Sequence, residues 1–314
     1  MLALILVLSA GSLAVGADTP VDALAIMQTV AANTSAATEA RRQYIYTQKV
    51  RASLLRSNGQ VVCKESREYS VIPQEKTTDK TIVSFSGECR EGNRMVPYTA
   101  LELKKPGLKE TGLKEKASPE DGDRESIVGV VNGLVNARNS RDGIPRELFP
   151  LLAEDLPYYK FTLKGETTVQ GRRAYDILFE PVDLKNFCIQ VGDENTGFKL
   201  RVEVRSDNVA PEGSLCRSWK GEAWIDAEEY QPIRIDTQVA KGVPWGVRVF
   251  LGINIRQLGF SINYKRVVEN VWFPATYGTE FRVVVFWGYK RSIRLSMENL
   301  DFRKTDARST IQFR

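Results

Sequence analysis

The sequence predicts a mainly β (α+β) protein: a single strongly curved antiparallel sheet with helices against its open face. Three observations predict it. Between Trp219 and Val239 the chain alternates, with Ala223, Ile225, Ile233, Ile235, Thr237 and Val239 on one side and Lys220, Glu222, Asp226, Arg234, Asp236 and Gln238 on the other. A period of two marks strands with one face covered and the other in water. The apolar parity then slips twice. Val249, Leu251, Ile253 and Ile255 give way to Leu258, Phe260, Ile262 and Tyr264, and Ile293, Leu295 and Met297 give way to Leu300 and Phe302. Each slip predicts a β-bulge or a bend, a device that curves a sheet toward closure. Finally, Ile127, Val130, Val131, Leu134 and Val135 make a helical stripe in mid-chain, and such a stripe needs an apolar surface to cover.

Taken in order, residues 1–17 carry no charge and end in Val15-Gly16-Ala17. The run is shorter than the roughly 20 residues that span a bilayer. It reads as a cleaved secretory leader, with an uncleaved membrane anchor as the alternative. Residues 18–314 then form one β domain. Val21, Leu24, Ala25, Met27, Val30 and Ala31 recur at a helical period over 20–42, after which Tyr44, Tyr46, Gln48, Val50, Ala52 and Leu54 switch to period two. Ser57-Asn58-Gly59 turns the chain into a second strand, Val61–Ile72, and Thr81–Ser86 is a third. Residues 90–124 are rich in Lys, Glu, Gly and Pro without a period and predict an exposed loop. After the helical stripe, Leu148, Phe149, Leu151, Leu152 and Leu156 predict a second, shorter helix. Tyr159, Phe161 and Leu163 pair with Tyr175, Ile177 and Phe179 across a Gln170-Gly171 turn. Residues 182–216 read as an inserted flap carrying a strand from Phe198 to Val204.

The chain has 44 Lys+Arg against 39 Asp+Glu, a net charge of +5. The basic residues alternate with apolar ones on strands, which makes a solvated face and excludes a nucleic-acid stripe. No later segment has the uncharged apolar length to cross a membrane. The four cysteines, Cys63, Cys89, Cys188 and Cys216, predict disulfides in an exported protein, with free buried thiols as the alternative. Three pairings are open, and the sequential one closes the shortest loops. Each bridge would stabilise by roughly 3 kcal/mol. Metal binding is disfavoured because neither couple has CxxC spacing and no histidine exists to complete a site; no cofactor is expected.

Zero histidines also remove the Ser-His-Asp and Cys-His nucleophile systems. No phosphate-binding or dinucleotide-binding glycine motif occurs. Carboxylates are what remains for an enzyme. Asp226 with Glu228 and Glu229 sits in a tight turn, where acidic residues are ordinary. Glu120, Asp121 and Asp123 lack the spacing of a calcium loop. Seven aromatics, Tyr175, Phe179, Phe260, Tyr264, Phe273, Phe281 and Trp287, fall on inferred inward faces. Each is either core packing or the lining of an apolar pocket.

Three segments, GRRAYDILFEP (171–181), GEAWIDAEEYQPIRID (221–236) and VWFPATYGTEF (271–281), resemble the LolA/LolB-like periplasmic lipoprotein-carrier superfamily, in particular its outer membrane lipoprotein-sorting type. The resemblance implies a LolA-like fold, an incomplete barrel with a helical lid over a hydrophobic cavity. It further implies a periplasmic, non-enzymatic carrier of lipid or lipoprotein acyl chains, acting as a monomer. The seven aromatics would line the cavity, and Ile127, Val130, Val131, Leu134 and Val135 would gate it. An envelope sensor that binds a membrane protein on the same fold is one alternative, and a secreted carboxylate hydrolase is another.

Overall fold

The computed structural model describes residues 22–74, 78–99, 119–135, 152–182, 188–191, 200–203, 219–239, 259–285 and 289–305. Residues 1–17, where a leader is expected, and the odd-parity segment Val249–Ile255 lie outside the described residues, as does the first parity slip.

Helix α1 (Ala23–Arg41) opens the described chain, its first turn capped by Asp22, whose carboxylate accepts from Leu24 N–H at 3.0 Å. Strands β1 (Tyr44–Arg56), β2 (Val61–Pro73), β3 (Thr78–Glu91) and β4 (Arg94–Tyr98) follow as a meander. Helix α2 (Pro119–Val135) comes next, then a 3-10 turn at Leu156–Tyr158. Strands β5 (Tyr159–Val169) and β6 (Arg172–Pro181) form the predicted hairpin, with Phe161 opposite Phe179 and Leu163 opposite Ile177. Its turn carries Gln170 at φ 52° and Gly171 at φ 77°, the left-handed pair that a tight hairpin requires. Within the 182–216 flap, β7 (Cys188–Val191) and β8 (Leu200–Glu203) pair as a separate antiparallel ribbon. Strands β9 (Trp219–Asp226), β10 (Pro232–Val239), β11 (Phe260–Val268), β12 (Val271–Val285) and β13 (Tyr289–Lys304) complete the chain.

The main sheet has eleven strands in the order β4-β3-β2-β1-β13-β12-β11-β10-β9-β6-β5. All its pairs are antiparallel. Among the described residues it is open, with β4 and β5 as edges. The chain starts in the middle of the sheet at β1, winds out to the β4 edge, and re-enters at the opposite edge with β5. It then returns to the middle, where β13 pairs with β1. Helix α2 lies on the crossover between the two edges.

Both helices lie on the inward face. Helix α1 rests against β5 and β12. Those strands are five steps apart in the order above, about 24 Å at sheet spacing, and a 19-residue helix is about 28 Å long. It therefore straddles that half of the sheet, burying Ile26, Met27, Val30 and Ala31. Its middle is tied to the β9–β10 turn, where Asn33 Nδ2 donates to the Glu229 carbonyl at 3.0 Å and Gln231 Nε2 donates back to the Asn33 carbonyl at 3.1 Å. Its end is tied to β12 by Arg41, whose guanidinium donates to the Trp272 carbonyl at 2.9 Å. Helix α2 covers the other half, packing on β1, β2 and β3.

The alternation over 219–239 holds: Ala223, Ile225, Ile233 and Ile235 are fully buried. Asp226, assigned to the wet set, is a correction, being only 1% exposed. It ends β9 at a turn whose backbone and neighbouring arginine enclose it. The second parity slip is a bulge, but it lies at Asp301, which has φ 58°, where the β1–β13 register jumps between Ile45/Arg303 and Thr47/Leu300. Asn299 therefore faces inward and Leu300 does not. The expected 90–124 loop is corrected at both ends. A tight turn with Gly92 at φ 58° leads into β4, and residues from Pro119 onward belong to α2. Residues 100–118 lie outside the described residues, as do Leu148–Leu151 of the expected second helix; the part of it that is described is the 3-10 turn.

Cys63 and Cys89 sit directly opposite each other on β2 and β3 and are joined as a disulfide. Closing a loop of 26 residues contributes about 3–4 kcal/mol by loss of unfolded-state entropy. Cys188 lies in β7, while Cys216 is outside the described residues.

Candidate functional site

The inward face divides into two unlike halves. Under α1 it is largely apolar and aromatic. Phe273 (fully buried) has Tyr44 and Tyr46 edge-on at 5.5 and 5.9 Å, Phe302 at 4.3 Å, and the Arg41 guanidinium 5.9 Å from its ring centre. Phe179 meets Tyr159 edge-on at 6.0 Å, Phe260 meets Trp219 at 5.0 Å, and Tyr175 lies 6.0 Å from Tyr230. Tyr264 is buried in the same cluster. So Tyr175, Phe179, Phe260, Tyr264 and Phe273 all face inward and share one core. Phe281 lies in β12 opposite Ile293, its side chain outside the described residues, as is the whole of Trp287.

Under α2 the floor is mixed, with Gln48, Glu65 and Arg67 buried among Val50, Leu54 and Val71. The lid stripe does face the sheet, with Ile127, Val130, Val131 and Val135 all buried; Leu134 is in the helix, its side chain outside the described residues. Among these apolar contacts run three buried or half-buried polar ones, beside an outer ion pair of Arg124 with Glu91 at 3.6 Å. At the start of α2, the Asp123 carboxylate accepts from Arg291 Nε at 2.9 Å and NH2 at 2.8 Å, both residues buried. In its middle, Asn132 Oδ1 accepts from Arg67 NH1 at 2.6 Å. At its end, the Val135 carbonyl accepts from Lys80 Nζ at 3.1 Å. Lys80 also donates to Gln48 at 3.0 Å, Gln48 to Asn299 at 3.0 Å, and Asn299 to the Pro274 carbonyl at 2.7 Å. Beside Arg67, Glu65 is held from the floor itself: Arg67 Nε and the Tyr98 hydroxyl each donate to it at 2.5 Å. Burial, with the Glu65 carboxylate next to it, pushes the Tyr98 hydroxyl far above the usual phenol range, so it remains a donor. Its ring lies flat on Gly87, where a Cβ would come within 2.4 Å of Cζ, so glycine is required there.

Hydropathy alone hides these polar groups; register reveals them. On β2 the inward series is Cys63, Glu65, Arg67, Tyr69, Val71, and on β13 it is Arg291, Ile293, Leu295, Met297, Asn299. Asp123 lies one turn before Ile127 on the same helical stripe. In each case the polar side chain is in phase with the apolar set, the signal that marks it as buried.

Of the acidic residues considered for catalysis, Asp226, Glu229 and Asp123 are engaged in structural contacts, while the side chains of Glu120 and Asp121 lie outside the described residues. Asp226 accepts from Arg172 Nε at 2.5 Å and from the Glu228 and Glu229 N–H groups at 3.0 and 2.7 Å. Glu229 accepts from Arg266 at 2.6 Å, Trp272 Nε1 at 2.8 Å and Asn270 N–H at 3.1 Å. Both carboxylates are saturated by the turn they close. Asp123 is engaged with Arg291, and no group of three or more metal-ligating side chains occurs among the described residues. Burial of Asp226 opposes its ionisation, but the Arg172 guanidinium and the two N–H groups outweigh it and hold the carboxyl below its ordinary value. A carboxyl depressed in the folded state stabilises fully above its unfolded value of about 3.9 and stops doing so as pH falls through the folded value. Urea midpoints of wild type and Asp226→Asn are therefore expected to differ at pH 7 and to converge as the pH falls below the unfolded value and through the lower folded one.

No protein-family model matches the chain, and no curated protein matches it. Solved structures do. A DUF1329 family protein from Desulfovibrio piger is 10% identical, with 92% of this chain and 96% of that one covered at a TM-score of 0.36. A LolA superfamily protein from Nitrosomonas europaea is 11% identical, with 94% and 98% covered at 0.31. An outer membrane lipoprotein-sorting protein domain from Vibrio parahaemolyticus is 11% identical, with 91% and 95% covered at 0.27. The last two carry the names that the three sequence segments resemble. TM-scores this low carry no argument about function. The open eleven-stranded sheet with helices on its inward face rests on the chain's own strand pairing.

Proposed function

We propose that this protein is a periplasmic, non-enzymatic carrier that shelters the acyl chain of a lipid or lipoprotein beneath α2, which acts as a lid. The observation that carries the reading is the contrast between the two helices. Helix α1 rests on a tightly packed aromatic layer and forms a fixed wall. Helix α2 buries a short apolar stripe and is held at its start, middle and end by polar contacts to the sheet. Polar contacts can be exchanged for others, whereas a packed aromatic layer has no substitute. An acyl chain exposed to water costs roughly 0.8 kcal/mol per CH₂, so carriage between membranes requires a cover that opens and closes. Lifting α2 would offer Ile127, Val130, Val131 and Val135 on one side and the inward faces of β1, β2 and β3 on the other.

Val131, 1% exposed on the lid, provides the test. An aspartate there would bury a carboxylate without a partner, at a cost of several kcal/mol, so α2 would leave the sheet. Native mass spectrometry of wild type purified from its own envelope is expected to show bound lipid, and Val131→Asp to have lost most of it while far-UV circular dichroism keeps the β signal. Equal lipid content in the two proteins would overturn the reading.

A further inference from the structure

Three polar contacts between α2 and the sheet run in one direction, the sheet donating and the helix accepting, and one looser ion pair, Arg124 NH2 to Glu91 at 3.6 Å, runs the other way. The donors are three cations, Arg67, Lys80 and Arg291, and the acceptors are the Asn132 amide oxygen, the Val135 carbonyl and the Asp123 carboxylate. The only carboxylate beside these cations on the described floor, Glu65, is bound by Arg67 Nε and Tyr98 and owes nothing to α2. When α2 lifts, three positive groups lose the acceptors it supplied, the buried Glu65 keeps its donors, and the exposed Glu91 loses its ion pair with Arg124. The uncovered face therefore holds three cations, Arg67, Lys80 and Arg291, against two carboxylates, Glu65 and the exposed Glu91 at the end of β3. One donor is unused even in the closed protein: Arg67 NH2 is buried and has no hydrogen-bond partner, on a side chain that is 3% exposed. A guanidinium in a water-poor setting seeks an oxygen acceptor, and an ionised one gives the strongest bond.

We infer that the cargo taken up beneath α2 carries an anionic head group, a carboxylate or a phosphate, which replaces the oxygens that the helix presents to Arg67, Lys80 and Arg291. The inference rests on the carrier reading and adds to it the chemical class of the cargo. A bare hydrocarbon would leave the floor's cations short of acceptors, and a neutral ester would offer no ionised oxygen in place of the Asp123 carboxylate on Arg291. An acidic amphiphile satisfies them while its chain lies along the apolar stripe. The closed protein thus holds a built-in mimic of its ligand, with the Asp123 carboxylate occupying the place of the head group on Arg291.

The test compares probes that share a chain and differ in charge. Full-length, delipidated protein is titrated at pH 7.5 with cis-parinaric acid and with its methyl ester, following their fluorescence. Oleate, oleoyl lysophosphatidic acid and neutral monoolein then serve as competitors. The acid is expected to bind at least about tenfold more tightly than the ester. At least one anionic competitor should displace it at correspondingly lower concentration than monoolein, and the better of the two tells carboxylate from phosphate. The charge-neutral double substitutions Asp123→Asn/Arg291→Gln and Glu65→Gln/Arg67→Gln should each shrink the acid-to-ester ratio, with near-UV circular dichroism reporting that the fold is kept. Should one of these pairs fail to fold, the other and the wild-type ratio still decide. Equal binding of acid and ester would overturn the anionic head group and leave the carrier standing. Binding of neither probe would overturn both.

Discussion

Replacing Arg291 by methionine is expected to destabilise the protein by about 3–5 kcal/mol, the usual cost of stranding one partner of a buried ion pair. Arg291 meets Asp123 through two hydrogen bonds, of 2.8 and 2.9 Å, and both residues are buried. Without the guanidinium the carboxylate must either stay in the interior uncompensated or carry the start of α2 out into water. The second route is open to a helix that packs mainly on β1, β2 and β3. The loss should therefore be local. Amide hydrogen exchange is expected to show α2 losing protection by orders of magnitude while β1 and β13 lose much less. Uniform loss across the sheet, or a shift in urea midpoint equivalent to under 1 kcal/mol, would contradict the role assigned to this pair. Substituting both partners removes the stranded charge, so Asp123→Asn/Arg291→Gln should recover much of the loss.

Phe273→Ala is expected to cost about the same, 3–5 kcal/mol, for a different reason. The ring is fully buried and surrounded by Tyr44, Tyr46, Phe302 and Arg41. These neighbours come from α1, β1 and β13, all anchored elsewhere, so they cannot collapse into the void. The penalty combines lost burial with a residual cavity. Unlike the Arg291 change, it should lower protection in both helical layers together and appear as a global shift of the urea midpoint at unchanged slope. A penalty below 1 kcal/mol would mean that the site relaxes freely and is not packed.

How much of this was legible in the chain depends on what each residue's position advertises. The strands from 219 to 239 could be read because their alternation is strict, and the β5–β6 hairpin because Gln170-Gly171 names its own turn. The lid stripe could be read because Ile127, Val130, Val131 and Val135 repeat at the helical period. The floor beneath it was missed because charge was equated with water. Glu65, Arg67 and Arg291 face inward not by hydropathy but by counting, two residues at a time, from neighbours that do. Asn299 failed for the same reason: the nearby leucine looked the better inward residue, and only the left-handed backbone at Asp301 places the slip after it. Asp226 marks another limit. At a strand end the rule of alternate faces lapses, because the turn and Arg172 wrap the side chain from every direction.

The position of β13 beside β1 has a consequence for how the molecule is made. Each half of the sheet can assemble from neighbours in sequence, one hairpin after the next, but the seam joins residues 44–56 to residues 291–304, a pairing that waits for most of the chain. Contacts so distant in sequence form late and slowly. Until that keystone strand arrives, the thirteen residues of β1 present a bare hydrogen-bonding edge to any strand within reach. The vulnerable interval in this protein's biogenesis is thus set by its last strand and not by its first.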